Sequence, residues 1–323
     1  MFSSGRVLVT GGAGFIGGHI TERLLSDGHS VRIFDNFATG KRATIDHLVE
    51  VAPSGKLEVV EGDVRDATAV VEAMKGVTHV AHQAALASVQ RSMENPLATH
   101  EVNTTGTLNI LQAARHEGVE RLVFAGSSSV YGDKKDLPKV ETMRAAPKSP
   151  YALSKHVGEV YCNLYNDLFG LSTIVLRYFN VFGPRQDPNS QYAAVIPLFA
   201  RALLRGESPT VHGDGGQTRD FTFIDNVVHG NLLALSGRGK GGSVYNLACG
   251  DRHSLLDLLK RLGEMTGSTV EPNFVESRLG DVRDSQAGID KAVAELGFEP
   301  QVAYGAGLEK TVAWCRQSED VVG

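Results

Sequence analysis

After Arg6 the chain reads Val-Leu-Val-Thr, passes through Gly11-Gly12-Ala13-Gly14-Phe15-Ile16-Gly17, and enters a helical pattern over 19–25 that Gly28 ends. A strand turning through Gly11, Gly14 and Gly17 straight into a helix puts bare backbone at the helix N-terminus. A diphosphate can approach closely there, and the helix dipole favours its charge. A second strand ends in Asp35, 24 residues after Gly11. A carboxylate at that place accepts hydrogen bonds from ribose hydroxyls and repels a 2′-phosphate, which predicts NAD rather than NADP. Lys41 and Arg42 then read as a solvated turn rather than a phosphate clamp. A third strand ends in Gly62-Asp63-Val64, where Asp63 either holds the adenine amino group or caps a turn.

Short apolar runs at 31–34, 57–60, 79–82, 121–125 and 173–176 alternate with helix-compatible stretches such as 103–116. Strands alternating with helices predict an α/β fold, a doubly wound parallel sheet of Rossmann type covered on both faces. Beyond Phe182 the chain is richer in turns, at Gly183-Pro184, Asp187-Pro188-Asn189 and Gly213-Asp214-Gly215-Gly216. That change predicts a smaller mixed α/β C-terminal substrate domain. Residues 1–176 would bind the cofactor, 177–323 mainly the substrate, and segments near 220–247 would rejoin the sheet. With 32 Lys and Arg against 37 Asp and Glu, the net charge of −5 offers no footprint for nucleic acid. The longest apolar stretch, 193–200, is far short of the roughly 20 residues a membrane span needs, and no secretory signal is visible at the N-terminus. Cys162, Cys249 and Cys315 are scattered and odd in number, so neither a disulfide scaffold nor a metal cluster is expected. The expectation is a cytoplasmic protein without bound metal.

A helix predicted to begin near Ser149-Pro150 carries Tyr151 and Lys155, an i,i+4 pair on one face. An ammonium beside a phenol lowers its pKa from about 10 and makes tyrosinate a usable base near neutral pH. The strand before it ends in Gly126-Ser127-Ser128-Ser129, setting hydroxyls at the carboxyl edge of the sheet. Taken singly, Tyr-x-x-x-Lys is common on exposed helix faces, and three serines can be a turn. Glycine turn, Asp35, serine edge and Tyr/Lys helix in that order are far less common together.

With these residues the chain resembles the extended short-chain dehydrogenase/reductase family, and within it the nucleotide-sugar 4-epimerases. The match spans essentially the whole chain, through Thr10 to Gly17, Asp35-Asn36, Gly62-Asp63-Val64, His82-Gln-Ala-Ala85, Ser127 to Gly132, Tyr151-x-x-x-Lys155 and Arg177-Tyr-Phe-Asn-Val-Phe-Gly183. The resemblance implies tightly held NAD, contacted by Gly11, Gly14, Phe15, Ile16, Gly17, Asp35, Asn36, Thr39, Gly40, Asp63, Val64, Gln83, Ala84, Ala85, Asn103, Tyr151, Lys155 and Tyr178. It implies catalysis by Ser127, Tyr151 and Lys155, with Lys155 on the nicotinamide ribose and lowering the Tyr151 pKa. The implied reaction is redox-neutral: the sugar C4 hydroxyl loses its proton to Tyr151 and its hydride to nicotinamide, the 4-keto sugar turns over, and hydride returns to the other face.

The C-terminal part is similar to family segments that bind UDP. Asn180 would meet a phosphate, Val195 the uridine, Arg219 and Arg278 the diphosphate and Asp281 the ribose, arginine suiting a pyrophosphate through its bidentate fork. Either arginine alone could be a surface ion pair. The segments 82–92, 185–189, 192–197 and 280–283 look most like epimerases acting on UDP-N-acetylglucosamine and UDP-N-acetylgalactosamine. By that resemblance Ala87, Ser88, Ser127, Ser128, Ser129, Tyr151, Gln186, Ala194 and Ser285 line the sugar pocket. Epimerases restricted to glucose and galactose usually carry a bulky aromatic where Ser285 stands, and a small residue leaves room for a 2-N-acetyl group. UDP-glucose and UDP-glucuronate stay open as rivals, the latter because Arg185 could pair a sugar carboxylate. Sugar-nucleotide dehydratases and UDP-glucuronate decarboxylases need carboxylates after the position of Ser127, where this chain has Ser128-Ser129. The resemblance also implies a homodimer through a four-helix interface, from apolar positions on 103–116 and 151–165, with Tyr161 and Leu164 as contacts.

Overall fold

Val7, Leu8 and Val9 are each fully buried, with Val7 and Val9 in one hydrophobic cluster and Leu8 in another. A strand buried on both faces belongs in the middle of a helix-covered parallel sheet, and the computed structural model of residues 5–187, 194–277 and 282–320 shows one. Its strands are β1 (Arg6–Thr10), β2 (Ser30–Asp35), β3 (Leu57–Glu61), β4 (Val77–His82), β5 (Arg121–Ser127), β6 (Ser172–Tyr178) and β7 (Ser243–Leu247). They pair in parallel in the order β7-β6-β5-β4-β1-β2-β3. The order reverses between β1 and β4, and the crevice outside the strand ends at such a reversal is where open α/β sheets bind ligands.

Helices Ala67–Met74, Gly106–His116 and Pro150–Phe169 cover one face, and Phe15–Ser26 and Ile224–Leu235 the other. Past Phe182 the chain builds a lobe from helices Val195–Leu204, Leu255–Thr266 and Tyr304–Asp320 and from short strand pairs. One of these pairs sets Thr218–Arg219 against His253–Ser254. Ser243–Leu247 then returns to the sheet edge as β7, and the hydrophobic core runs unbroken from β1 through Ile224 and Tyr245 to Leu308. No described helix is long and apolar enough to cross a membrane.

Two charged pairs involve buried arginines. On β2, Arg32 donates through its terminal nitrogens to the carbonyls of Ala73 and Lys75 (both 2.8 Å) and to Glu58 (2.9 Å), while its Nε finds no partner. Glu159 and Arg177 form a buried bidentate pair at 2.9 and 2.8 Å behind the Tyr/Lys helix, the form in which buried charges are tolerated.

Candidate active site

The helix Phe15–Ser26 starts at Gly14 without a side-chain cap, so its first N–H groups stay available. Gly11 has φ +69°, and a Cβ there would lie 2.7 Å from the Ala84 nitrogen; one on Gly17 would lie 2.2 Å from the Gly11 carbonyl oxygen. Only glycine permits this closeness of turn, helix and neighbouring strand end. Asp35 accepts from the backbone N–H of Ala13 (2.9 Å) and of Phe37 (2.8 Å), and it faces a cavity of about 650 Å³ that runs along the strand ends. An uncapped helix terminus over a glycine cradle, with a carboxylate one strand away, fits a dinucleotide and its ribose hydroxyls.

The expected residues Gly11, Gly14, Phe15, Ile16, Gly17, Asp35, Asn36, Thr39, Gly40, Val64, Gln83, Ala84, Ala85, Ala87, Ser127, Ser128, Ser129, Tyr151, Lys155, Tyr178, Asn180 and Gln186 all line this cavity. A second cavity of about 260 Å³, walled by Val195, Phe199, Phe221 and Leu255 and edged by Thr210, His212, Gln217 and Arg219, shares Asn180 and Val181 with the first. Ala194 and Val195 fall on this second cavity. Ser285 lines neither; its backbone N–H donates to the Thr218 carbonyl (3.1 Å), beside Arg219. Ser88 caps the helix Val89–Glu94 through the Arg91 N–H (3.1 Å). Arg278 and Asp281 lie outside the described residues.

At the centre Tyr151 hydrogen-bonds to Ser127, which also accepts from the hydroxyl (2.9 Å) and N–H (3.2 Å) of Ser129. Lys155 donates to the Ala125 carbonyl (2.8 Å) and lies 4.9 Å from the centre of the Phe124 ring. Burial pulls its ammonium down to about 8, against the favourable carboxylate of Glu159. Burial raises the Tyr151 pKa above its ordinary value, the opposing hydrogen bond comes from Ser127, and the ammonium is engaged by the Ala125 carbonyl.

Two other expected residues are engaged within the protein. Asn103 does not line the cavity. Its amide oxygen accepts from the Leu86 N–H (2.8 Å), and its nitrogen donates to the Leu86 carbonyl (3.2 Å) and the Ser154 hydroxyl (3.0 Å), from within a π-helical turn, Glu101–Thr105. Asp63 is engaged by Arg65 at 2.8 and 3.0 Å and by Asn36 at 2.7 Å, chiefly the guanidinium holding it well below the usual carboxylate range.

Sequence reasoning did not assign roles to Arg65, Val181 or the network around His82. The Thr107 hydroxyl donates to the Asn103 carbonyl (2.6 Å), so it accepts from His82 Nε2–H (3.0 Å). His82 Nδ1 then accepts from Thr10 (2.7 Å), whose oxygen takes the Ala84 N–H (3.2 Å). Burial lowers the His82 pKa to about 3, so the ring is neutral. A histidine ending an apolar strand between two threonine-bearing elements was the available signal.

The chain belongs to the NAD-dependent epimerase/dehydratase family, whose model matches residues 7–248. A UDP-glucose 4-epimerase of Mycolicibacterium smegmatis is 40% identical over 314 residues, 96% of this chain and 98% of that protein. The structure of the UDP-N-acetylglucosamine 4-epimerase from Methanobrevibacter ruminantium M1, in complex with UDP-N-acetylmuramic acid, superposes with a TM-score of 0.92 at 35% identity, covering 98% of this chain and 100% of that one. The Thermus thermophilus UDP-glucose 4-epimerase in complex with NAD gives 0.86 at 39% identity, covering 96% and 99%.

Proposed function

We propose that this NAD-dependent UDP-sugar 4-epimerase works on acetylated hexoses, interconverting UDP-N-acetylglucosamine and UDP-N-acetylgalactosamine. The observation that carries the choice of sugar is the small-residue wall of the cavity, where Gly126 and Ser127 end β5, Ser128 and Ser129 open the turn after it, and Ala84, Ala85 and Ala87 follow β4. A 2-acetamido group needs such room. UDP-glucuronate is disfavoured because the Arg185 guanidinium is ion-paired with Glu22, leaving it engaged rather than waiting for a sugar carboxylate. UDP-glucose is the second reading, favoured by the Mycolicibacterium smegmatis relative. Among the described residues lining the larger cavity the carboxylate is Asp35, away from Ser127, which suits epimerisation better than water elimination.

In this reading bound NAD supplies a reversible hydride acceptor for the sugar C4. Tyr151 takes the proton of the 4-hydroxyl, with Ser127 hydrogen-bonded to the phenol oxygen and stabilising the phenolate. Lys155, carried on the same helix and anchored on Ala125, adds positive charge at that end of the cavity. The apolar second cavity grips the base while Asn180 and Arg219 meet the diphosphate, and the small-residue wall leaves the sugar free to turn. Residues 1–176 hold the cofactor, segments within 220–247 rejoin its sheet, and 177–323 mainly holds the UDP part.

A cytoplasmic homodimer belongs to the same proposal. Leu153, Val160, Leu164 and Leu168 form an exposed apolar stripe along Pro150–Phe169, joined by Met93 and Leu97. Leu164 lies on the stripe, whereas Tyr161 packs partly onto the core. The helix Gly106–His116 contributes differently from the sequence expectation: its exposed positions are Gln112, Arg115 and His116, and its apolar ones are largely buried. The deciding experiment incubates the purified protein, without added NAD, with UDP-N-acetylglucosamine, UDP-glucose and UDP-glucuronate separately and follows products by NMR. Fastest conversion of the acetylated substrate is expected; faster conversion of either other sugar overturns the choice.

A further inference from the structure

Asp220 is fully buried, and among the described residues no cation is a cause of its pKa shift. It accepts instead from three backbone N–H groups on two separate segments: Cys249 at 3.1 Å on one oxygen, and Gly250 at 3.1 Å and Ala287 at 3.0 Å on the other. The first two follow β7 after Ala248; the third is two residues past Ser285. On its own segment the Asp220 carbonyl accepts from the Asn180 amide (3.2 Å), and Asn180 returns its carbonyl to the Thr222 N–H (3.2 Å). Next door, Arg219 donates to the carbonyls of Thr218 (2.9 Å) and Arg283 (3.0 Å), and Thr218 exchanges backbone hydrogen bonds with Arg283 and Ser285. One buried carboxylate thus joins the sheet edge, the Arg219 strand and the 283–287 stretch, around residues that line the nucleotide cavity.

We propose that Asp220 is a positioning residue for the nucleotide grip, fixing Asn180 and Arg219 against the 283–287 stretch so that they close on the UDP diphosphate as one unit. The proposal rests on the UDP-sugar reading above. Three N–H groups aimed at one carboxylate cannot all be satisfied by a substitute. An Asn side chain has one acceptor oxygen and would turn its NH2 toward at least one of the donors; Ala satisfies none. An unpaired buried N–H is costly enough to shift the backbone that bears it.

The test measures UDP affinity by titration calorimetry, steady-state kinetics with the sugar nucleotide that the wild type turns over, and NAD per protomer, in wild type, Asp220→Asn and Asp220→Ala. The expected result is a Kd for UDP and a KM raised about tenfold in Asp220→Ala and less in Asp220→Asn, as expected for lost charge-assisted hydrogen bonds. In both variants kcat at saturation and NAD content should stay near wild type, a split that general destabilisation would not produce. If Asp220→Ala does not fold, Asp220→Asn decides alone. UDP affinity within twofold of wild type, or a fall in kcat at unchanged KM, overturns the proposal. Failure of the wild type itself to bind UDP overturns the UDP-sugar reading, and this proposal with it.

Discussion

Replacing Gly17 by Ala adds a single methyl group at the point where the cofactor cradle is tightest. The new Cβ would stand 2.2 Å from the Gly11 carbonyl oxygen, 2.8 Å from its carbon and 3.0 Å from Gly12 Cα, all backbone atoms. Restoring ordinary contact, which begins at 3.4 Å, requires the helix and the turn to separate by about 1.2 Å. The turn cannot retreat freely: a Cβ at Gly11 already would meet Ala84, and the Gly11 N–H is bonded to the Phe34 carbonyl at 2.9 Å. Overpacking of this kind costs about 1–3 kcal/mol, which corresponds to a roughly 5- to 150-fold loss in an affinity that depends on the compact form. The assay is NAD released by denaturation per protomer after extensive desalting, beside the melting temperature. Gly17→Ala should carry at most a small fraction of the wild-type NAD while melting within a few degrees of the wild type measured in its NAD-free form. Wild-type NAD content in the variant would refute the argument that the glycine spacing serves close approach of helix, turn and cofactor.

Tyr151→Phe should lower kcat by about 10²–10⁴, the usual worth of a positioned base, with KM for the UDP-sugar little changed; near-normal turnover would remove Tyr151 from the mechanism. Ser285→Tyr, reaching from beside Arg219 toward cavities that Ser285 itself does not line, should cost at least about tenfold in kcat/KM for the acetylated substrate relative to UDP-glucose, measured in parallel assays, and equal losses on both would refute a gate at that position. For Asp220, burial chiefly and Asp251 secondarily raise the carboxyl to about 7, against the three backbone N–H groups, while the neighbouring Cys249 thiol is itself pushed up to about 11 and stays neutral. The native state therefore keeps a proton that the unfolded chain releases near pH 4. Its stability contribution is favourable at low pH and is lost as pH rises from about 4 to about 7. Urea unfolding at pH 5 and 7.5 should show that this loss is absent from Asp220→Asn; an identical pH dependence in both proteins would refute the assignment.

What the sequence disclosed and what it withheld divide along the range of the interactions concerned. The glycine turn, Asp35, the serine edge and the Tyr151/Lys155 spacing are local, each set by backbone geometry within one strand, turn or helix, and they converge on one cavity because parallel strands all end on the same side. Other contacts around the site join residues far apart in the chain. Arg185 meets Glu22 across 163 positions, Asn103 meets Ser154 across 51, and Asp220 meets Ala287 across 67. Asn103 has a side chain compatible with cofactor contact, and only the folded chain shows that Leu86 and Ser154 engage it, whereas Asp63 is held by Arg65 two residues on. The same division orders the chemistry. Local motifs define the reaction type, a tyrosine base on a dinucleotide fold, whereas the sugar and the firmness of the nucleotide grip depend on loops from both halves of the chain. Asp220 stands where those loops cross, beside the Arg219 that the motif already singled out. A motif can therefore carry its binding residue and the residue that places it at adjacent positions, the half-buried Arg219 and the buried Asp220.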